Sequence, residues 1–259
     1  MAAYLFFALV VATSWSFEDR SLRDLFARLG INGTLVIERA DGKVRYVHNA
    51  SRARRRLPVA STFKIFNSLI ALEEKVVSSP EDSFKWNGKV HAIGDWNRDQ
   101  TLRSAYRVSC VWCYQELARR IGNEGYRRHL RLASYGRLGE PFSLTTFWLD
   151  GSLRLSAREQ VAFLRRLVDR SLPYRAESYD TLRELMLVDS GPQIAYQLRG
   201  KTGWSTIDTP GIGWYVGYVE TNGHVWLFAL NIDIRSEKDL PLRLELVRAA
   251  LRTKGILSE

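Results

Sequence analysis

The sequence predicts an α+β protein: an antiparallel β-sheet flanked by N- and C-terminal helices, with an all-α lobe inserted between its strands. Three observations carry this expectation. Residues 33–48 and 194–232 are rich in Val, Ile, Tyr, Trp and Phe and are punctuated by the turn dipeptides Asp41-Gly42 and Asn222-Gly223. Between about 73 and 189 the period is mainly helical, and amphipathic helical patterns open and close the chain at 21–30 and 242–251. With 259 residues, 46% of them hydrophobic, the chain can bury the core of one domain or of two closely joined lobes.

The elements follow in order. Residues 2–12 (AAYLFFALVVA) form an apolar run too short to span a membrane, followed by the small residues Thr13, Ser14 and Ser16. We read 1–16 as a signal peptide, although no Lys or Arg precedes the run; a buried N-terminal strand or helix is the alternative. The mature chain, 17–259, is then a single domain with an α/β lobe at about 17–60 and 190–259 and a helical lobe at about 61–189. Export leaves it periplasmic or secreted, with no stable membrane anchor.

Ser21 reads as an N-cap, with Leu22, Leu25, Phe26 and Leu29 on one face and Gly30 as the stop. Strands at 33–38 and 43–48 form a hairpin across Asp41-Gly42. A helix is expected at 109–121, stopped by Gly122, and another is opened by the capping box Ser156–Glu159. A short helix at 181–188 closes at Gly191-Pro192. Strands then return at 194–203, 211–220 and 224–232, and Pro241 opens the last helix.

The chemistry centres on residues 58–72. Phe63, Ile65, Phe66, Leu69, Ile70 and Leu72 go nearly all the way round a helix, so the segment is expected to be buried. It nevertheless holds Ser61 and Lys64, which at i, i+3 share a face within one turn. A serine at a helix N-terminus meets free N–H groups suited to an oxyanion. A lysine among Phe and Ile loses solvation, favouring the neutral amine that can take the hydroxyl proton. Alone, an S-x-x-K describes a capping serine and a solvated lysine at least as well.

Further motifs change that balance. Lys201-Thr202-Gly203 falls on a predicted strand, giving a cation, a hydroxyl donor and a position where a ligand can approach the backbone. Ser109-Cys110-Val111 falls at a predicted helix start. S-x-x-K followed by K-T-G marks penicillin-recognising serine enzymes, with S-x-V here in place of S-D-N. The ordered set Ser61-Thr62-Phe63-Lys64, Ser109-Cys110-Val111, Tyr135-Gly136, Phe147-Trp148-Leu149 with Gly151, Lys201-Thr202-Gly203-Trp204, Trp214-Tyr215-Val216-Gly217 and Leu240-Pro241-Leu242-Arg243 resembles the class D serine β-lactamases, or oxacillinases. The likeness covers nearly the whole mature chain.

The resemblance implies a serine β-lactamase/penicillin-binding transpeptidase-like fold and hydrolysis of penicillin-type β-lactams through an acyl-enzyme on Ser61. It implies that Lys64 takes up CO2, from bicarbonate, to become a carboxylated general base, with no metal or organic cofactor. Trp148 would hold that group through its indole N–H, and Val111 and Leu149 would gate water. The backbone N–H groups of Ser61 and Trp204 would form the oxyanion hole. Ser109, assisted by Lys201, would pass a proton to the leaving nitrogen. Thr202, Gly203, Trp204 and Arg243 would bind substrate, with Thr202 and Arg243 on its carboxylate.

Arg137 departs from the pattern, standing where the family has Asn after Tyr-Gly. Cys110 and Cys113 form a C-x-x-C that suggests redox or metal chemistry, but they lack a clustered His or a thioredoxin-like βαβ context and are expected to be small buried helix residues. His48, His91, His129 and His224 are scattered, without ligand spacing.

The formal charge is +10, densest at Arg52, Arg54, Arg55 and Arg56. No RNA-binding or helix-turn-helix signature accompanies it, so a solvated basic surface is expected rather than a nucleic-acid site. The remaining alternatives are a β-lactam sensor domain that is acylated without turnover, a peptidoglycan transpeptidase, and a basic binder of anionic polymers.

Overall fold

The computed structural model describes residues 18–190 and 195–258. The apolar run assigned to a signal peptide, the Gly191-Pro192 stop and Ile194 lie outside them. The order is α1 (Arg20–Arg28), β1 (Gly33–Arg39), β2 (Arg45–His48), β3 (Leu57–Pro58), α2 (Lys64–Glu73), β4 (Ser83–Phe84), β5 (Gln100–Thr101) and α3 (Leu102–Arg107). There follow α4 (Val111–Leu132), β6 (Arg137–Leu138), β7 (Leu153–Leu155), α5 (Ala157–Val168), α6 (Ala176–Leu185), β8 (Leu187–Asp189), β9 (Tyr196–Ser205), β10 (Gly211–Thr221), β11 (His224–Ile234) and α7 (Leu242–Thr253).

Six strands form one antiparallel sheet in the order β2-β1-β11-β10-β9-β8. The two turn dipeptides close its hairpins, with Glu38 opposite Arg45 and Thr221 opposite His224. Side-chain alternation then divides two cores. Leu35, Ile37, Phe228 and Leu230 face outward into a cluster with Leu22 and Phe26 of α1 and Val247 and Leu251 of α7. Val36, Trp214, Val216 and Ala229 face inward against the inserted segment.

The helical lobe read at about 61–189 also carries short strands: β7-β6, joined by β3 from just before it, and the pair β4-β5. Its α5 returns to the sheet, lying against β1 and β11, where Arg165 binds Glu38. Leu187 and Val188, expected to end a helix, fall instead in β8, which pairs with β9, because α6 has already stopped at Leu185. Asp19, rather than Ser21, caps α1, its carboxylate accepting from the Leu22 N–H at 3.0 Å. The Ser156–Glu159 capping box forms as expected. In the arginine run, Arg52 pairs with Asp233 at 2.7 Å and Arg56 with Glu159 at 2.6 Å, while Arg54 and Arg55 are exposed.

Candidate active site

Ser61 lies in a 3₁₀ turn, Ala60–Phe63, that runs directly into α2, and Lys64 is the first residue of that helix. The turn is entered through Ala60 at φ 48°, a left-handed conformation that costs a non-glycine residue about 1–3 kcal/mol. Surrounding contacts hold it. The Trp214 indole donates to the Pro58 carbonyl at 2.8 Å, Thr62 Oγ1 donates to the Val59 carbonyl at 2.6 Å, and Gln160 Nε2 donates to Thr62 Oγ1 at 3.1 Å.

The Lys64 side chain has no exposed surface, and its Nζ donates to Ser61 Oγ at 3.0 Å. The Tyr114 ring lies 4.9 Å from that nitrogen, with its own hydroxyl 2.7 Å from Ser68 Oγ. Burial drives the Lys64 amine well below the usual lysine range, and the Lys201 charge pushes the same way. The two side chains thus meet at the mouth of a helix within hydrogen-bond distance, where burial favours the neutral amine.

On β9, Lys201 and Gly203 share the face turned toward this turn, opposite the inward Val216 and Trp214. A Cβ on Gly203 would lie 3.1 Å from the Thr62 nitrogen and 3.2 Å from the Val59 carbonyl oxygen, so glycine is what lets the strand press against the Ser61 turn. Lys201 is 5% exposed and its Nζ donates to the Thr202 carbonyl at 3.0 Å. Burial, reinforced by the Arg243 charge, lowers it to about 7. Arg243 donates to the Gly203 carbonyl at 2.8 Å and to the Leu240 carbonyl at 2.7 Å. Burial brings its guanidinium down to about 10, which leaves it cationic at neutral pH. Thr202 is half-buried and the Trp204 ring is 36% exposed, forming an accessible rim.

Ser109 was expected to start a helix. It lies instead in the turn before α4, at φ 58°, because Cys110 takes the N-cap position. Cys110 and Cys113 are both fully buried, as expected, but they are neither free nor metal-linked: a disulfide joins them, with Cα atoms 5.6 Å apart. The cap position makes this pairing possible, since Cys110 sits outside the helix and its side chain turns back onto the third helical residue. Val111 is half-buried at the head of α4. Trp148 is fully buried with its indole N–H unpartnered, and Leu149 beside it is half-buried.

The comparisons with known proteins fall on this geometry. The penicillin binding protein transpeptidase domain matches residues 33–252. The chain is 37% identical to the β-lactamase OXA-48 of Klebsiella pneumoniae, covering 95% of this chain and 92% of that one. It is 35% identical to OXA-10 of Pseudomonas aeruginosa over 99% and 98% of the two chains. The chain belongs to the class D β-lactamases. Among solved structures, the class D enzyme YbXI from Nostoc superposes with a TM-score of 0.88 at 42% identity, covering 91% of this chain and 99% of that one. The class D enzyme FUS-1 (OXA-85) of Fusobacterium nucleatum subsp. polymorphum gives 0.89 at 34% identity, over 93% and 100%.

Several residues of this class D chain do work that sequence reasoning did not assign. Tyr114 roofs Lys64. Tyr106 places its ring 5.8 Å from Lys201 Nζ and donates to the Gly200 carbonyl at 3.3 Å, tying α3 to β9. Trp96 and Trp112 support the Ser109 turn. The available signal was general: a buried Tyr or Trp needs a partner for its polar end. Arg137 is exposed on β6, opposite Arg154. Among the described residues, no group of three or more His, Cys, Asp or Glu is placed to hold a metal ion.

The residues present fit a carboxylated Lys64. A buried, unpartnered N–H costs about 1–3 kcal/mol, so the Trp148 indole favours any acceptor that reaches it. A neutral, buried amine is the form that adds CO2.

Proposed function

We propose that the protein is an exported serine β-lactamase that hydrolyses the lactam amide of penicillin-type antibiotics through an acyl-enzyme on Ser61, and so confers β-lactam resistance. The observation that carries this is the fully buried Lys64, bonded to Ser61 Oγ at 3.0 Å.

Ser61 Oγ gives up its proton on the Lys64 side and attacks the lactam carbonyl carbon. The backbone N–H groups of Ser61 and Trp204 receive the developing oxyanion. The C–N bond breaks, and the nitrogen leaves with a proton relayed by Ser109 from the Lys201 side. Water then attacks the ester carbonyl and the carboxylic acid leaves, returning the proton to Ser61 Oγ. Carboxylation of Lys64 would supply the general base for both halves, with the unpartnered Trp148 N–H as the group that would hold it. Val111 and Leu149 wall that end of the site and limit water. Thr202 and the cationic Arg243 bind the substrate carboxylate, while Gly203 and Trp204 line its path. Export is supported by the apolar run at 2–12 and by the Cys110–Cys113 bond, which suits an oxidising compartment. The domain division remains the one read from the sequence, with one catalytic domain at 17–259.

The test is penicillin turnover by the purified mature chain with and without bicarbonate, together with intact mass measurement after exposure to substrate. Sustained turnover that rises with bicarbonate and vanishes in Ser61→Ala is expected. A stable adduct without turnover would make the protein a sensor domain, and no adduct at all would refute the assignment.

A further inference from the structure

We propose that the Cys110–Cys113 disulfide is a positioning element for catalysis, a covalent helix cap that holds the Ser109 turn in the geometry its proton relay requires. The inference rests on the relay role given to Ser109 above.

Ser109 holds a left-handed backbone at φ 58°, which a serine keeps only where its neighbours over-determine it. Its own N–H reaches the Tyr106 carbonyl at 3.3 Å, and the Cys110 N–H reaches the Ala105 carbonyl at 2.9 Å, so the turn is anchored to α3. On the upstream side the Trp96 indole donates to the Val108 carbonyl at 3.0 Å, and the Trp112 indole donates to the Trp96 carbonyl at 2.9 Å. Trp112 lies between the two cysteines. The disulfide thus fixes the first turn of α4, from which Trp112 holds Trp96, whose own indole braces Val108, the residue before Ser109.

On the downstream side, Cys110 is the N-cap of α4 and its sulfur accepts from the Cys113 N–H at 3.3 Å. Sulfur is a weak acceptor, so it makes a poor cap by itself. The bridge adds to that weak contact a bond between the N-cap and the third helical residue, the two positions a capping box joins through hydrogen bonds. It encloses only four residues, so it constrains little of the unfolded chain, and its effect is local. Both sulfurs are fully buried, which shields the bond from thiols once the chain has folded. The bond forms when two thiols lose two protons and two electrons to a thiol–disulfide oxidant of the exporting compartment. It is therefore installed during folding.

The experiment measures the burst-phase acylation rate with a penicillin for the wild type, Cys110→Ala/Cys113→Ala, Ser109→Ala and the triple variant, with melting temperatures to confirm folding. General acid–base groups contribute about 10²–10⁴-fold, so loosening the relay without deleting it is expected to slow acylation about tenfold. In the Ser109→Ala background the same cysteine changes are expected to alter the rate less than about twofold, because two changes acting through one residue are not additive. A general structural defect would cost the same in both backgrounds, and that result would overturn the proposal. Unchanged acylation without the bridge, alongside a crippled Ser109→Ala, would overturn it while leaving the relay intact. Unchanged acylation in Ser109→Ala would refute the relay itself. Cys110→Ser/Cys113→Ala restores an oxygen cap and covers the case in which the alanine pair does not fold. It is expected to recover only part of the rate, and full recovery would show that the bond is dispensable.

Discussion

Ala60, one residue before Ser61, and Ser109 both hold a left-handed backbone, at φ 48° and 58°, but the protein steadies the two turns by different means. The Ser61 turn is pressed between β9 and the inserted segment. Gly203, Thr62, Gln160 and Trp214 hold it by close packing and hydrogen bonds. The Ser109 turn joins two helices of the insertion, α3 and α4. There a covalent bridge and two indoles supply the restraint. Strain beside a packed sheet can be carried by many small contacts, whereas strain in a helix–helix connection needs a few strong ones.

The paired lysines differ in the same way. Lys64 donates to Ser61, lies against the Tyr114 ring and is wholly inside the core. Lys201 keeps a carbonyl acceptor and a trace of exposure, and burial lowers it to about 7. The first pair is built around a neutral amine, and the second around one that titrates near the working pH.

Lys64→Met tests the first half most severely. Turnover of penicillin is expected to fall by about 10³-fold or more, since both the base and its attachment point are lost. The melting temperature is expected to rise, because methionine fills the same volume without the cost of burying an amine. Activity is read by steady-state hydrolysis and stability by thermal melting. A variant that is inactive and also less stable would show that the Lys64–Ser61 bond is structural.

Lys201 provides a pH signature. Its folded value of about 7 lies below the ordinary 10.5, so between those values the unfolded chain binds a proton that the folded chain lacks. Stability therefore rises with pH across that window, by up to about 1.4 kcal/mol per unit for each such group, and Lys64 adds to the slope with the same sign. Above about pH 10 the buried tyrosines reverse the trend, because burial holds Tyr114 and Tyr126 above their usual range and the unfolded chain ionises first. Denaturant unfolding from pH 7 to 9.5 should show the rise in the wild type and a shallower one in Lys201→Met. Equal slopes would mean that Lys201 is solvated in solution.

Much of this was legible because local chemistry decided it. Asp41-Gly42 and Asn222-Gly223 specify their turns, Ser156–Glu159 specifies its helix start, and the apolar ring around Lys64 specifies its burial. What escaped the sequence depends on residues brought together from a distance. Nothing in Ser109-Cys110-Val111 shows that Trp96 will hold the Val108 carbonyl, so the serine read as the start of a helix and not as a strained turn. The C-x-x-C was weighed against metal and redox sites, but its pairing follows from Cys110 standing outside the helix, a boundary shift of two residues. Likewise, Tyr114 reads as one more apolar position on α4 until the fold sets its ring over Lys64.

Arg137 gives the smallest expected effect. Its side chain is exposed on β6 directly opposite Arg154, which is engaged elsewhere through the Gly151 carbonyl at 3.0 Å. Like charges directly opposite on paired strands are unfavourable, and cross-strand pairs of this kind contribute roughly 0.2–1 kcal/mol. Arg137→Asn should therefore stabilise the chain by a few tenths of a kcal/mol at low salt, with the gain shrinking as salt screens the pair. Acylation and deacylation of penicillin should each change less than about twofold, since the guanidinium faces solvent. Pre-steady-state kinetics alongside melting curves at two salt concentrations measure both. A tenfold change in deacylation with no change in stability would put the guanidinium in the cleft during turnover, and would make this departure from the family pattern a determinant of rate.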